Sequence, residues 1–240
     1  MSGARKNDPI QRASSRKRPF ANQRAKVAVF LLLVLFASTA WLEARVFLSI
    51  PGTAGARFNA IIHDEIPAGI SPYSQRVFLD ECVEAMDGYY GRLQPPERRD
   101  ALASICEQHS LRYTAWTPTF AYAWYVAARS ALQKGDREQF LERIGKAYET
   151  APSEGWMAAF RLPVWNENDS ALTPEMRKHF TRDIELLLQT KSGAVVLVRY
   201  TARYPDLRER LIEMVSKTPP SVQRQFLAAM RDALELGRKN

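Results

Sequence analysis

Histidine and cysteine are scarce in this chain, with three of the first and two of the second among 240 residues. That scarcity limits metal chemistry. Cys82 and Cys106 have no neighbouring histidine, so they do not make a zinc site. His109 and His179 lack the HxxxH or ExxH company of a helical metal site. His63 opens the triplet "HDE" (His63–Glu65), but adjacent residues in a loop point in different directions, and the triplet reads as a solvated charge cluster. GxSxG, a phosphate-binding P-loop and GxGxxG are also missing. Strand alternation is almost absent, and no low-complexity domain or coiled coil of adequate length is present. No catalytic residue, cofactor or metal ligand is expected.

What is present is charge, and it is unevenly placed. The net charge of +8 and a pI near 9.6 suggest nucleic acid at first sight. Yet Arg5, Lys6, Arg12, Arg16, Lys17, Arg18, Arg24 and Lys26 stand against Asp8 alone in the first 26 residues, a net of +7. Only +1 is left for the remaining 214 residues. The basicity belongs to a tail, residues 1–25, and a nucleic-acid partner is not expected.

The tail precedes the uncharged run Val27–Leu42, "VAVFLLLVLFASTAWL". A hydrocarbon core of ~30 Å needs about 17–25 helical residues. Lys26 can snorkel at one end, Trp41 suits the far interface, and Val46-Phe47-Leu48 prolong the apolar face. Residues 26–48 are therefore expected to form a single membrane anchor. The rival reading is a cleaved signal peptide with Ser38-Thr39-Ala40 as its small-residue site; the 26-residue charged lead is long for that. In both readings the body leaves the cytoplasm, since positive charge stays inside. The expected location is a bacterial inner membrane, with the N-terminus in the cytoplasm and the C-terminal body in the periplasm. An oxidising compartment favours a Cys82–Cys106 bridge.

Pro51, Gly52, Gly55, Pro67, Gly69 and Pro72 mark residues 49–72 as a linker, with one short helix around Phe58–Ile62. Beyond it, residues 73–240 read as helical throughout. Val77, Phe78, Cys82 and Met86 share a face near 74–93, as do Leu102, Ile105 and Cys106 near 96–111. Thr173-Pro174-Glu175 is an N-cap with proline in the first turn, ahead of Met176, Phe180, Ile184 and Leu187. "GAVVLVRY" (Gly193–Tyr200) is β-branched, but with no partner strand it is expected to be a buried helix. Val222, Phe226, Met230 and Leu234 mark the last helix.

Pro118 and Pro152 are 34 residues apart, and Gly135-Asp136 splits the interval into two helical halves. Trp124, Ala127, Ala128 and Ala131 share one face, where small side chains admit a close second helix. Ile144 and Ala147 would meet them from that helix. This pattern resembles a tetratricopeptide repeat, with Gly135 ending the first helix, Asp136 capping the second and Pro152 closing the unit. Phe140 departs from the alanine usual there, and Ala131 from the usual tyrosine; a large residue on one helix compensates for a small one on the other. The resemblance covers about 35 residues and implies an all-α stack of helical hairpins, with the other units degenerate.

An anchor, a cysteine-bearing hairpin, "AYAWYVAARSALQKGD" and "PSEGWMAAFRL" together resemble small tetratricopeptide-like proteins of alphaproteobacterial envelope polysaccharide loci. That resemblance implies a tethered scaffold for inner-membrane or periplasmic proteins, accessory to surface polysaccharide (exopolysaccharide) synthesis or export. Two aromatic groups are candidates for the binding surface: Tyr122 with Tyr125, and Trp156 with Arg161 and Trp165. Such rings stack on peptide side chains or on sugars, so glycan contact belongs to the same expectation; core packing is the competing reading of both groups. Two other classes are an envelope glycan-processing enzyme and an assembly factor for a respiratory or cytochrome complex. The first needs a carboxylate pair in an aromatic groove. Glu81 with Glu84, and Glu138 with Glu142, read as solvated helix surface instead.

Overall fold

The computed structural model describes residues 19–239, so the basic tail falls outside it up to position 18. The described residues hold α1 (Pro19–Leu48), α2 (Ala54–Ile62), α3 (Pro72–Asp87), α4 (Tyr89–Arg92), α5 (Pro96–Trp116), α6 (Ala121–Gln133), α7 (Arg137–Glu149), α8 (Gly155–Glu167), α9 (Pro174–Leu188), α10 (Lys191–Arg203), α11 (Pro205–Ser216) and α12 (Pro220–Lys239). A short 3₁₀ turn joins α8 to α9, and no strand occurs among the described residues. "GAVVLVRY" lies inside α10, where Ala194, Leu197 and Val198 are buried.

Residues 19–25, assigned above to the tail, already belong to α1. The segment Ala25–Leu48 is long and apolar enough to cross a membrane, and its side chains from Val27 to Leu42 stand clear of the body. Val46 behaves differently: it is fully buried against the body rather than extending the free apolar face.

The linker expectation for residues 49–72 is corrected. Phe58, Ile61 and Ile66 are fully buried and join the main core. The 3-residue spacing of Phe58 and Ile61 gives α2 one apolar face, and the surrounding prolines and glycines turn the chain sharply within a packed structure. Thr53 caps α2, its hydroxyl accepting from the Ala56 amide at 3.3 Å. At the other end Asp64 takes φ 53°, a left-handed position unusual for a residue other than glycine. All three residues of the triplet "HDE" are exposed. What the sequence did not show is that exposed Asp64 places Oδ1 2.8 Å from Nε2 of buried His109 on α5.

The body has two layers. Helices α3, α6, α8 and α10 lie side by side in one. Helices α5, α7 and α9 form the other, tied by the Arg143–Glu107 ion pair between α7 and α5 and by Tyr148 stacked on His179 at 3.9 Å between α7 and α9. Helix α6 is the centre. Ala121, Ala123, Ala127, Ala128, Ser130 and Ala131 are all buried, and with so little side chain α5 and α7 approach it closely from both sides. From α7, Phe140, Ile144 and Ala147 are fully buried. Trp124 sits at the edge of that seam, half-buried, its indole N–H donating to the Pro118 carbonyl at 2.8 Å and its ring beneath the Lys146 ammonium at 4.7 Å.

The α6–α7 turn follows from local chemistry. Gly135 has φ +76°, which costs glycine little. The Asp136 amide then donates to Ala131 O at 2.9 Å and the Gly135 amide to Leu132 O at 3.1 Å, closing α6. Asp136 next caps α7, its carboxylate accepting from the Gln139 amide at 3.1 Å. Pro152 is exposed on the turn that leaves α7. Between α9 and α10 the contact is backbone against backbone: a Cβ on Gly193 would come within 2.2 Å of Leu187 O.

Cys82 on α3 and Cys106 on α5 lie at disulfide distance, with Cα atoms 5.8 Å apart. The pair staples the hairpin that carries the head of α6. The head of α3 is tied to the end of α1. Glu43 Oε1 accepts from the Ile70 and Ser71 amides at 2.9 and 2.7 Å, and its Oε2 from the Ser71 hydroxyl at 2.6 Å.

Candidate functional site

The residues singled out for a binding surface separate into two places. Tyr122, Tyr125 and Trp156 meet on the layer of α3, α6 and α8. Arg161 and Trp165 face the other way, into the α8–α9 interface.

The first place is built from consecutive turns of neighbouring helices. Tyr122 and Tyr125, three residues apart on α6, stack at 5.9 Å with 13° between their planes. Phe160 of α8 packs at 5.1 Å from Tyr122 and 5.7 Å from Tyr125. Trp156, one turn earlier on α8, lies 5.9 Å from Tyr122. Arg76 of α3 covers the group, its guanidinium 4.5 Å from the Trp156 ring and 5.6 Å from Tyr122. Tyr122 donates its hydroxyl to Asp80 Oδ1 at 2.6 Å.

Burial grades across this group. Tyr122 and Tyr125 are buried, which corrects the expectation that one of them would be open to a partner. Their rings are covered by Phe160 of α8, and that of Tyr122 also by Trp156 of α8 and Arg76 of α3. Burial, followed by the hydrogen bond to Asp80, pushes the Tyr122 phenol far above its ordinary range; burial does the same to Tyr125. The two phenols form an unionised floor. The open edge belongs to Trp156, Arg76 and Asp80, whose exposures are 38%, 46% and 48%. Among the described residues the charge partner of Arg76 is Asp80 at 3.9 Å. Its guanidinium therefore keeps donors available to a ligand.

The same face continues along α6 with alternating charge. Arg129 pairs with Asp87 of α3. Burial lowers the Arg129 pKa, opposed by Glu167 and by Tyr204 and Tyr200. Glu167 at the end of α8 accepts from the Tyr204 hydroxyl at 2.5 Å. Cation, ring, anion and cation thus succeed one another on one surface.

The second place is closed. Arg161 and Asp183 are both 0% exposed. Arg161 donates from Nε and Nη2 to the two oxygens of Asp183 at 2.8 and 2.7 Å, from Nη1 to Ala147 O at 3.0 Å, and from Nη2 to Ala151 O at 3.2 Å. Trp165 Nε1 donates to Asp183 Oδ2 at 2.8 Å. Tyr148 lies against the guanidinium at 5.2 Å. The expectation that Arg161 and Trp165 form a binding surface is corrected: their donors are spent on Asp183 and on carbonyls at the end of α7. A buried arginine needs that many partners to remain charged away from water.

Arg76, Asp80 and Phe160 were missed by sequence reasoning, as was Asp183. Arg76 and Asp80 stand at i,i+4 on one side of α3, but nothing in the sequence sets α3 beside Trp156. Asp183 carried a signal. It lies between Phe180, Ile184 and Leu187, on the apolar face of α9, as Arg161 lies within "WMAAFRLPVW"; two opposite charges within apolar faces imply each other.

A smaller polar bridge ties the layers under the site. Burial would raise the Glu107 pKa, but hydrogen bonds and charge from Arg143 and Lys134 prevail and hold it below the usual carboxylate range. Arg143 also donates to Ala127 O at 3.2 Å, linking α7 to the alanine seam. Comparison with protein family models, with curated proteins and with solved structures returns no match to this chain.

Proposed function

We propose that this chain is a non-enzymatic scaffold, tethered by α1 to a bacterial inner membrane, that holds a partner protein against the Arg76–Trp156 edge on the periplasmic side. The observation that carries the reading is an arginine with donors to spare, stacked on a half-exposed tryptophan over a floor of buried tyrosines. Arginine and tryptophan on a rigid floor are the residues that dominate protein interfaces. Arg76 lies three residues along α3 from Tyr73, whose ring stacks on Phe47 of α1 at 5.6 Å. That proximity to the end of α1 favours a partner that is itself in or on the membrane, and tethering raises its effective concentration.

We read the α6–α7 hairpin and its neighbours as degenerate tetratricopeptide-like units. The alanine seam, the Gly135-Asp136 break and the two-layer arrangement support this. The likeness of "PSEGWMAAFRL" and its surroundings to proteins of envelope polysaccharide loci supports a role in surface polysaccharide synthesis or export.

The test is a photo-crosslinking amino acid at position 156 in the full chain, irradiated in intact cells. The expected product is an inner-membrane or exported protein, with yield lost in Arg76→Glu. Capture of cytoplasmic proteins alone, or a yield unchanged by Arg76→Glu, overturns the proposal. Crosslinks to glycan in place of protein would replace the scaffold with a polysaccharide-binding role.

A further inference from the structure

We infer that the body stands on the outer surface of the same bilayer, with Ile70, Tyr73 and Trp116 seated at the boundary between headgroups and acyl chains. The inference rests on the tether reading of α1 and adds a lipid contact to it.

Three observations meet here. First, the body is fixed to α1 by bonded contacts: Glu43 accepts from Ile70 and Ser71, Val46 is buried, and Phe47 stacks on Tyr73. Second, counting residues gives the depth. At 1.5 Å per residue a core of ~30 Å is crossed in about 20 residues. Starting from Lys26, the far boundary falls near Arg45, between the two residues that hold Ile70 and Tyr73. Third, this end of the body is apolar and open. Ile70, Tyr73 and Trp116 are 59%, 71% and 84% exposed, and Trp41 of α1 is 60% exposed. Ile70 and Trp116 line one shallow hollow with Pro72 and Arg112.

Large apolar side chains so exposed would be costly in water, at ~25 cal/mol per Å² of apolar area. Tryptophan and tyrosine belong at a membrane interface, where the ring meets acyl chain and the N–H or O–H meets headgroup. Exposed Arg112 adds a cation at the level of lipid phosphate. A bilayer is the occupant this geometry favours, because the patch is continuous with the lipid-facing end of α1.

The experiment uses the full chain in vesicles of phosphatidylethanolamine and phosphatidylglycerol. Single nitroxide labels are placed through Trp116→Cys, Tyr73→Cys, Glu138→Cys and Leu33→Cys, with the native disulfide left oxidised. Glu138 begins α7, at the opposite end of the α6–α7 hairpin, and Leu33 is mid-anchor. Oxygen accessibility relative to that of a water-soluble nickel chelate is then measured. The inference expects labels at 116 and 73 to exceed that at 138 by about threefold or more, as interfacial side chains do. If 116 and 73 match 138 while 33 reads as lipid, the footing is overturned and the tether stands. If 33 is as wet as 138, tether and footing fall together.

Discussion

Two clusters in this molecule use the same residue types and end in opposite states. Arg76, Trp156, Tyr122 and Asp80 form one; Arg161, Trp165, Tyr148 and Asp183 form the other. Each sets an arginine beside aromatic rings and an aspartate. In the second, guanidinium donors reach both Asp183 oxygens and two backbone carbonyls, and the indole N–H takes the same aspartate. In the first, the Arg76 guanidinium stays 3.9 Å from Asp80 and near half its side chain meets solvent. What separates a structural knot from a candidate interface is the number of donors the protein uses on itself. Composition does not reveal that number.

The largest expected break of the comparison is in the closed cluster. Asp183→Asn leaves Arg161 buried beside a neutral partner and should cost about 3–5 kcal/mol, read by urea denaturation. The double replacement Arg161→Met with Asp183→Leu should recover much of that loss, since buried pairs often exchange neutrally for apolar side chains. If Asp183→Asn costs under about 1 kcal/mol, the knot is not what holds α8 to α9.

Next in size is the Cys82–Cys106 pair, at disulfide distance between α3 and α5. Cys82→Ser should remove about 3 kcal/mol, as expected for a loop of this length, and abolish the mobility shift between reduced and oxidised protein. Equal mobility of the unmodified protein under both conditions would remove the bridge.

A smaller effect concerns pH. Burial lowers the pKa of His109 against the opposing pull of Asp64. The unfolded chain then binds the proton more readily, so the stabilising difference is complete above the unfolded value of about 6.5 and is lost as pH falls below it. Across pH 7.5 to 5.5, His109→Phe should show a shallower fall in melting temperature than the unmodified chain. The facing charges include Asp64 and Arg112, so a parallel fall would assign the acid sensitivity elsewhere.

The smallest effect on stability should come from the open cluster itself. Arg76→Ala should change the unfolding free energy by no more than about 0.5 kcal/mol, as for an exposed side chain without a strong partner. Partner capture at position 156 should nonetheless drop sharply. A large stability loss would place Arg76 with Arg161 among the structural arginines and erase the contrast.

Much of the helical frame was legible. Gly135 and Asp136 act locally, through a left-handed φ and a side-chain cap, and local chemistry can be read in order along the chain. Thr173-Pro174 works in the same way, the Thr173 hydroxyl accepting from the Met176 amide three residues on. Residues 49–72 were misread because prolines and glycines mark turns equally well in a linker and in a folded corner. The difference lies in what α2 packs against, which is α3, α4 and α5. Tyr122 and Tyr125 were misplaced for a similar reason. Their inward direction is imposed by Phe160, 35 residues or more away in sequence.

The sequence by itself determined the helix ends marked by Gly135-Asp136 and Thr173-Pro174, which segment is apolar enough to cross a membrane, and that Cys82 and Cys106 lie on helices, because each depends on periodicity or on neighbours a few residues apart. Tertiary structure alone decided which aromatic group stays open and which closes, that Asp64 meets His109, and that Glu43 clasps the head of α3. Those outcomes depend on how far apart helices from distant parts of the chain come to rest. Hydrogen bonds and ring contacts act over only a few ångströms, so a small change in that spacing turns a free arginine into a buried one.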